Sequence, residues 1–183
     1  MKIPEINSVC YIGAGSMGCY NSLLAALVGY RVALYDISQE TLDQVDLRQR
    51  EFGDSIVAAG LCLQEHIEQA LTLVTLHSDL ESIAEGIDLV SESITEELGI
   101  KRDTHAHLDR IFPAKTIITT NTSALLVSEI EDVVQRGDKF AALHSHLGST
   151  LVDIVGGPRT SSDTLDILQR YVLSLNCVPM LSK

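Results

Sequence analysis

Two rhythms of apolar and polar positions alternate along the chain. Short unbroken apolar runs recur at 8–13 (SVCYIG), 31–36 (RVALYD), 71–76 (LTLVTL), 87–94 (IDLVSESI), 116–122 (TIITTNT), 139–146 and 151–155. Runs of this length, bounded by glycine or polar residues, predict buried β-strands. Between them the apolar residues fall at helical spacing. Met17, Leu23, Leu24, Leu27 and Val28 form one such stripe, closed by Gly29 at the expected helix end. Ser38 is placed to cap a long polar helix over about 39–58, and Gly60 separates it from another over about 63–70,. This pair is longer than a plain crossover and is expected to project from the body of the domain. Further helices are predicted at 79–86, 96–112, 126–134 and 162–176. Strand and helix signals that alternate in this way predict an α/β fold, with a mainly parallel sheet covered on both faces.

With 183 residues, the chain has the length of one domain, spanning 1–183, with a substantial core. Hydrophobic residues make up 45% and charged residues 21%, the balance of a globular protein rather than a disordered one. The densest apolar stretch, LLAALV at 23–28, falls far short of the ~20 residues of a membrane span. The N-terminal segment MKIPEINSVCYIG has one lysine and no long apolar region, so no secretory signal is expected. Cys10, Cys19, Cys62 and Cys177 are scattered without a CxxC pair. They are expected to be free thiols in a reducing cytoplasm. The formal charge of −12 argues against nucleic-acid or anionic-membrane partners.

The loop YIGAGSMG narrows this picture. Gly13, Gly15 and Gly18 have the G-x-G-x-x-G spacing, after the first predicted strand and at the mouth of the first helix,. Gly13 permits the tight turn, Gly15 lets a pyrophosphate approach the backbone, and Gly18 allows close packing of helix on sheet. The helix then offers the free N–H groups of its first residues, Ser16, Met17 and Gly18, to the phosphates. Asp36 ends the second strand, where a carboxylate accepts the ribose hydroxyls and repels a 2′-phosphate,. Neither Ile37 nor Ser38 supplies a cation. A Rossmann-type doubly wound domain that binds NAD rather than NADP is expected, with FAD the lesser alternative.

In FAALHSHLGSTLVDIV, two histidines precede a short polar turn and an aspartate. If ALHSH and LVDIV form a hairpin in which His146 faces Leu151, then His144 faces Asp153. Opposed residues of an antiparallel ladder have Cβ atoms about 4.5–5.5 Å apart, so an imidazole–carboxylate dyad would close. Such a dyad can take the proton of a secondary alcohol while hydride leaves the carbon. His144 and His146 share a strand face, but a metal site needs a third ligand and the sequence nominates none, so no metal is expected. His146 reads as a packed or rim histidine. His105 and His107 lie two apart on a helix and point different ways.

The blocks YIGAGSMG…LYD, DLVSESITEELGIKRDTHAHLDRI, IITTNTSAL and FAALHSHL…LVDIV occur in that order. Together they resemble the NAD-binding domain of the 3-hydroxyacyl-CoA dehydrogenase family over nearly the whole chain. The resemblance implies oxidation of a (3S)-hydroxyacyl-CoA to the 3-ketoacyl form, as in fatty-acid β-oxidation. It implies that Glu96 and Lys101 line the cofactor and active site, that Ser123 contacts substrate and nicotinamide, and that His144 is the catalytic base, paired with Asp153. It also implies that the helical pair helps to hold CoA. On residue pattern alone, Glu96 and Lys101 read instead as a solvated helix surface. The family usually has HFFNP where this chain has HSHLG, with a longer connection to the carboxylate strand. Here Leu147 stands in place of an active-site asparagine, and Asp153 in place of a glutamate. Relatives in the superfamily act on small hydroxy acids such as gulonate or carnitine, and a non-catalytic NAD-binding module is a further alternative. Family members continue into a helical second domain that completes the substrate cleft and usually dimerises. Residues 1–183 alone are therefore expected to bind NAD with weak or absent turnover, and to need that domain or a partner subunit.

Overall fold

The computed structural model describes residues 1–182. Its elements run β1 (Ser8–Ile12), α1 (Ser16–Leu27), β2 (Arg31–Tyr35), α2 (Gln39–Asp43), α3 (Val45–Ala58), α4 (Gln64–Leu71), β3 (Val74–His77) and β4 (Leu89–Glu92). They continue through α5 (Leu98–Ile111), β5 (Ile117–Thr120), α6 (Val127–Ile130), β6 (Phe140–Ser145), β7 (Leu151–Gly156), α7 (Ser162–Ser174) and β8 (Val178–Ser182). The strands form one sheet in the order β3-β2-β1-β4-β5-β6-β7-β8. β1 to β6 are mutually parallel, and β7 runs against β6. The strand order reverses at β1, between β2 and β4, which opens a ligand crevice at the carboxyl ends of those strands.

Alternation along the strands builds two cores. Val9 and Tyr11 of β1 join Leu34, Leu143 and Ile154 beneath α1 and α7, where Leu23, Leu168 and Tyr171 are fully buried. Cys10 and Ile12 point the other way, with Val90, Ile118 and Phe140. Leu108 of α5 and Ile130 of α6 cover that face, as period-2 geometry requires. Cys10, Cys19, Cys62 and Cys177 are all free. Among the described residues, no helix is long and apolar enough to cross a membrane.

The long helical pair, α3 and α4, projects only by its tip. Its base is tied to α1: Gln49 is buried and donates from Nε2 to Ser22 Oγ at 2.9 Å. Gly53 lies so close to Ile67 that an added Cβ would sit 2.7 Å from Cγ2. The tip, at Ala58–Leu61, is exposed.

Several elements differ from expectation, among them the helix predicted over about 39–58, which breaks at Gln44 into α2 and α3, and that over 126–134, which is α-helical only at Val127–Ile130. α4 runs on to Leu71, so the strand predicted at 71–76 begins only at Val74. Residues 79–86 form a turn instead of a helix. Asp79 Oδ1 accepts from the Glu81 amide (3.1 Å), Ser82 Oγ donates to the Asp79 carbonyl (2.9 Å), and Gly86 takes a φ of +88°. Such local bonds compete with helix formation, while Leu80, Ala84 and Ile87 are still buried. β8 was not expected at all. It pairs with β7 at the sheet edge, is largely exposed and contains Pro179, which edge strands tolerate.

Candidate active site

The glycine loop joins β1 to α1 as its spacing predicts. Gly13 has a φ of +96°, and a Cβ on Gly18 would lie 1.8 Å from the Gly13 carbonyl oxygen. A Cβ on Gly15 would meet no protein atom within 4 Å. The space beside Gly15 is therefore open to a ligand, next to the uncapped first turn of α1 at Ser16, Met17 and Gly18,. Asp36 is fixed by the backbone: Oδ2 accepts from the Ala14 amide (2.8 Å) and Oδ1 from the Ser38 amide (2.9 Å). Each oxygen keeps a lone pair for a ribose hydroxyl. Arg48 of α3, which sequence reading passed over, steadies the loop by donating from Nη1 to the Ala14 carbonyl at 3.1 Å. These residues edge a cavity of about 520 Å³ that Gly13, Gly15, Asp36, Ile37 and Ile94 help to line. Replacing Asp36 by Ala is expected to weaken NADH binding about ten- to hundredfold, the scale of hydrogen bonds to a charged group. Fluorescence titration of NADH reads the change.

A second cleft, of about 330 Å³, opens beyond Met17 and Ile94 and is lined by Glu96, Ser123, His144 and His146. The β6–β7 ladder has the predicted register, with His144 opposite Asp153 and Ser145 opposite Val152. His144 Nδ1 lies 3.2 Å from Asp153 Oδ2, and His144 Nε2 lies 3.0 Å from Ser123 Oγ. A carboxylate only accepts, so Nδ1 carries the ring hydrogen and Nε2 presents its lone pair to the Ser123 hydroxyl. Two further bonds lock the end of β6. Asn121 Oδ1 accepts from the Ser145 amide (3.3 Å), and Asn21 Nδ2 donates to Ser145 Oγ (2.7 Å). His146 stands at the rim as expected, its ring 4.2 Å from that of His144. Sequence reasoning counted Asp153 only as the partner of His144, but its Oδ2 is also 3.5 Å from His146 Nε2.

Glu96 lines the second cleft, whereas Lys101 departs from the solvated surface that its spacing suggested. Glu96 precedes α5 and braces the Ser123 loop: Oε1 accepts from Thr122 Oγ1 (2.5 Å) and from the amides of Ser123 (2.8 Å) and Ala124 (3.1 Å). Burial pushes its carboxyl up, but these hydrogen bonds and the nearby Lys101 charge outweigh it and hold the group below its ordinary range. Lys101 is not on a solvated surface but fully buried. Its Nζ donates to Glu92 Oε1 (2.7 Å) and the Asn121 carbonyl (2.9 Å), and lies 3.5 Å from Glu96 Oε2. It therefore acts on the cleft by holding Asn121 and Glu96 in place.

Glu92 was missed. It ends β4, fully buried, and also accepts from Thr120 Oγ1 (2.7 Å) and His105 Nε2 (2.9 Å). Burial raises its carboxyl, but the His105 hydrogen bond and the Lys101 charge together hold it below the ordinary carboxylate range. His105 Nδ1 is buried without a partner. A charged residue closing an apolar strand run (LVSE) was the available signal for Glu92. His105 and His107 do diverge, as expected: His107 is partly exposed and lines the Asp36 cavity.

Residues 8–183 match the family described as 3-hydroxyacyl-CoA dehydrogenase, NAD binding domain. The chain is 30% identical over 179 residues to 3-hydroxyadipyl-CoA dehydrogenase of Escherichia coli, covering 96% of this chain and 38% of that protein. It is 29% identical over 190 residues to the human mitochondrial hydroxyacyl-coenzyme A dehydrogenase, covering 97% of this chain and 59% of that one. A solved diketoreductase superposes with a TM-score of 0.93 at 29% identity, covering 99% of this chain and 65% of the other. The chain thus spans between about two fifths and two thirds of the lengths of these relatives. Loop, acid and cleft agree with the family match, and the chain belongs to the 3-hydroxyacyl-CoA dehydrogenase family as its NAD-binding domain.

Proposed function

We propose that the protein oxidises the 3-hydroxyl of a (3S)-hydroxyacyl-CoA with His144 as general base. The observation that carries this reading is the hydrogen-bonded chain Ser123 Oγ–His144 Nε2–His144 Nδ1–Asp153 Oδ2, at 3.0 and 3.2 Å, whose Ser123 and His144 line the second cleft. The Ser123 hydroxyl marks where a substrate hydroxyl would lie. As the C3–H bond breaks, Nε2 takes the hydroxyl proton, and Asp153 stabilises the resulting imidazolium through Nδ1. NAD, when bound, accepts the hydride. Glu96 and Asn121 keep Ser123 and the end of β6 in register for that transfer. CoA would pass along the exposed tip of the α3–α4 pair, and a further helical domain or a partner subunit would close the cleft.

Leu147, exposed at the cleft edge, and the close superposition on a diketoreductase favour a second reading, in which the substrate is a small free hydroxy acid. NADH formation separates the two. The first reading expects turnover of 3-hydroxybutyryl-CoA and at most a trace with free 3-hydroxybutyrate. Comparable rates with free 3-hydroxybutyrate or gulonate would replace it with the second.

A further inference from the structure

We infer that His144, His146 and Asp153 form a binding site for a first-row divalent cation, zinc above all, and that occupancy switches the dyad off. One donor atom from each side chain lies within 4.8 Å of the others. The two resolved spacings are 3.2 Å from His144 Nδ1 to Asp153 Oδ2 and 3.5 Å from His146 Nε2 to the same oxygen. A tetrahedral zinc with bonds of about 2.0–2.1 Å needs its donors about 3.3–3.4 Å apart. These two spacings bracket that value, and the third donor pair lies within 4.8 Å. Two imidazoles and one carboxylate suit zinc or iron(II) better than magnesium or calcium.

Access and orientation agree. The His146 and Asp153 side chains are 51% and 40% exposed, so a cation can enter and keep an open position for water. The His144 ring is held from behind by Ser123 Oγ at 3.0 Å, the kind of outer contact that fixes a metal-ligating imidazole. The formal charge of −12 raises the local cation concentration.

The chemical consequence follows from the tautomer. A cation on Nδ1 takes the lone pair of that nitrogen, so the single hydrogen of the neutral ring moves to Nε2. Nε2 then donates to Ser123 instead of accepting, and has no lone pair for a substrate proton. The proton count of the ring is unchanged; only its position shifts. Binding of the cation stands on the geometry alone, whereas the block of turnover rests on the proposed role of His144.

Titration of the chain with Co²⁺, read by its visible d–d bands, and with Zn²⁺, read by competition with a chromophoric chelator, tests the site. One equivalent is expected to bind, and His146→Gln and His144→Gln are each expected to weaken it at least tenfold. In the protein assayed for turnover, zinc should inhibit reversibly on chelation, and His146→Gln should require at least tenfold more zinc for the same inhibition. Absence of stoichiometric binding, or an affinity unchanged from the parent in either variant, overturns the site. Full turnover with zinc bound overturns the switch and leaves the site. If the protein shows no turnover under any condition, the hydride-transfer reading fails and the cobalt titration still decides the site.

Discussion

His144→Gln is expected to lower kcat by about 10²–10⁴-fold, the range attributed to a positioned general base, with NADH affinity held within a few-fold. The two effects separate because they belong to different cavities. Glutamine keeps a polar group of similar reach opposite Asp153 but cannot accept a proton, so the loss falls on the chemical step. In free energy this is about 3–5 kcal/mol of lost transition-state stabilisation. NADH binding is expected to depend instead on the glycine loop and on Asp36, at the ends of β1 and β2, which β4 and β5 separate from β6. Steady-state kinetics of a hydroxyacyl-CoA, paired with an NADH titration of the same variant, reads both. A variant that turns over at the normal rate would remove His144 from the mechanism and favour a non-catalytic NAD-binding module.

The largest effect on stability is expected at Lys101. Lys101→Met should destabilise the fold by about 3–5 kcal/mol, the usual consequence of leaving one partner of a buried ion pair uncompensated. Glu92 is fully buried and would keep only His105, Thr120 and the Ile94 amide as partners. Urea unfolding measures the change. Replacing both charges, Glu92→Leu with Lys101→Met, should recover much of the loss, since no lone charge then remains in the core. A single variant within about 1 kcal/mol of the parent, the level of an exposed pair, would show that this pair does not carry the junction of β4, β5 and α5.

The parts of this molecule that could be read from its sequence are those encoded over short spans. The glycine loop is one: Gly13 and Gly18 must touch, and they lie on either side of one turn. The His144–Asp153 pairing is another, because a two-residue side-chain period and a short connection leave little freedom of register. The Glu92–Lys101–His105 network was not legible. Its members come from a strand end and from two successive turns of a helix, and they meet only because α5 packs over β4 and β5. Helical spacing alone placed Lys101 on a wet surface; tertiary packing put it at full burial. The turn at 79–86 escaped for a different reason. Its apolar residues are buried as a helix would bury them, but the side chains of Asp79 and Ser82 satisfy the local backbone in a non-helical form.

The inversion of β7 has a consequence for how this family member can vary. Strands β1 to β6 all deliver their tails to the ligand side of the sheet, but β7 delivers its head. Asp153 therefore reaches His144 around a single bend, and the register of the two strands decides whether they meet. A one-residue slip of β7 against β6 would turn Asp153 to the opposite surface, beneath α7, where Val152 and Ile154 now lie, and would leave the glycine loop untouched,. The bend can change in length and sequence, provided that the ladder it joins keeps its alignment.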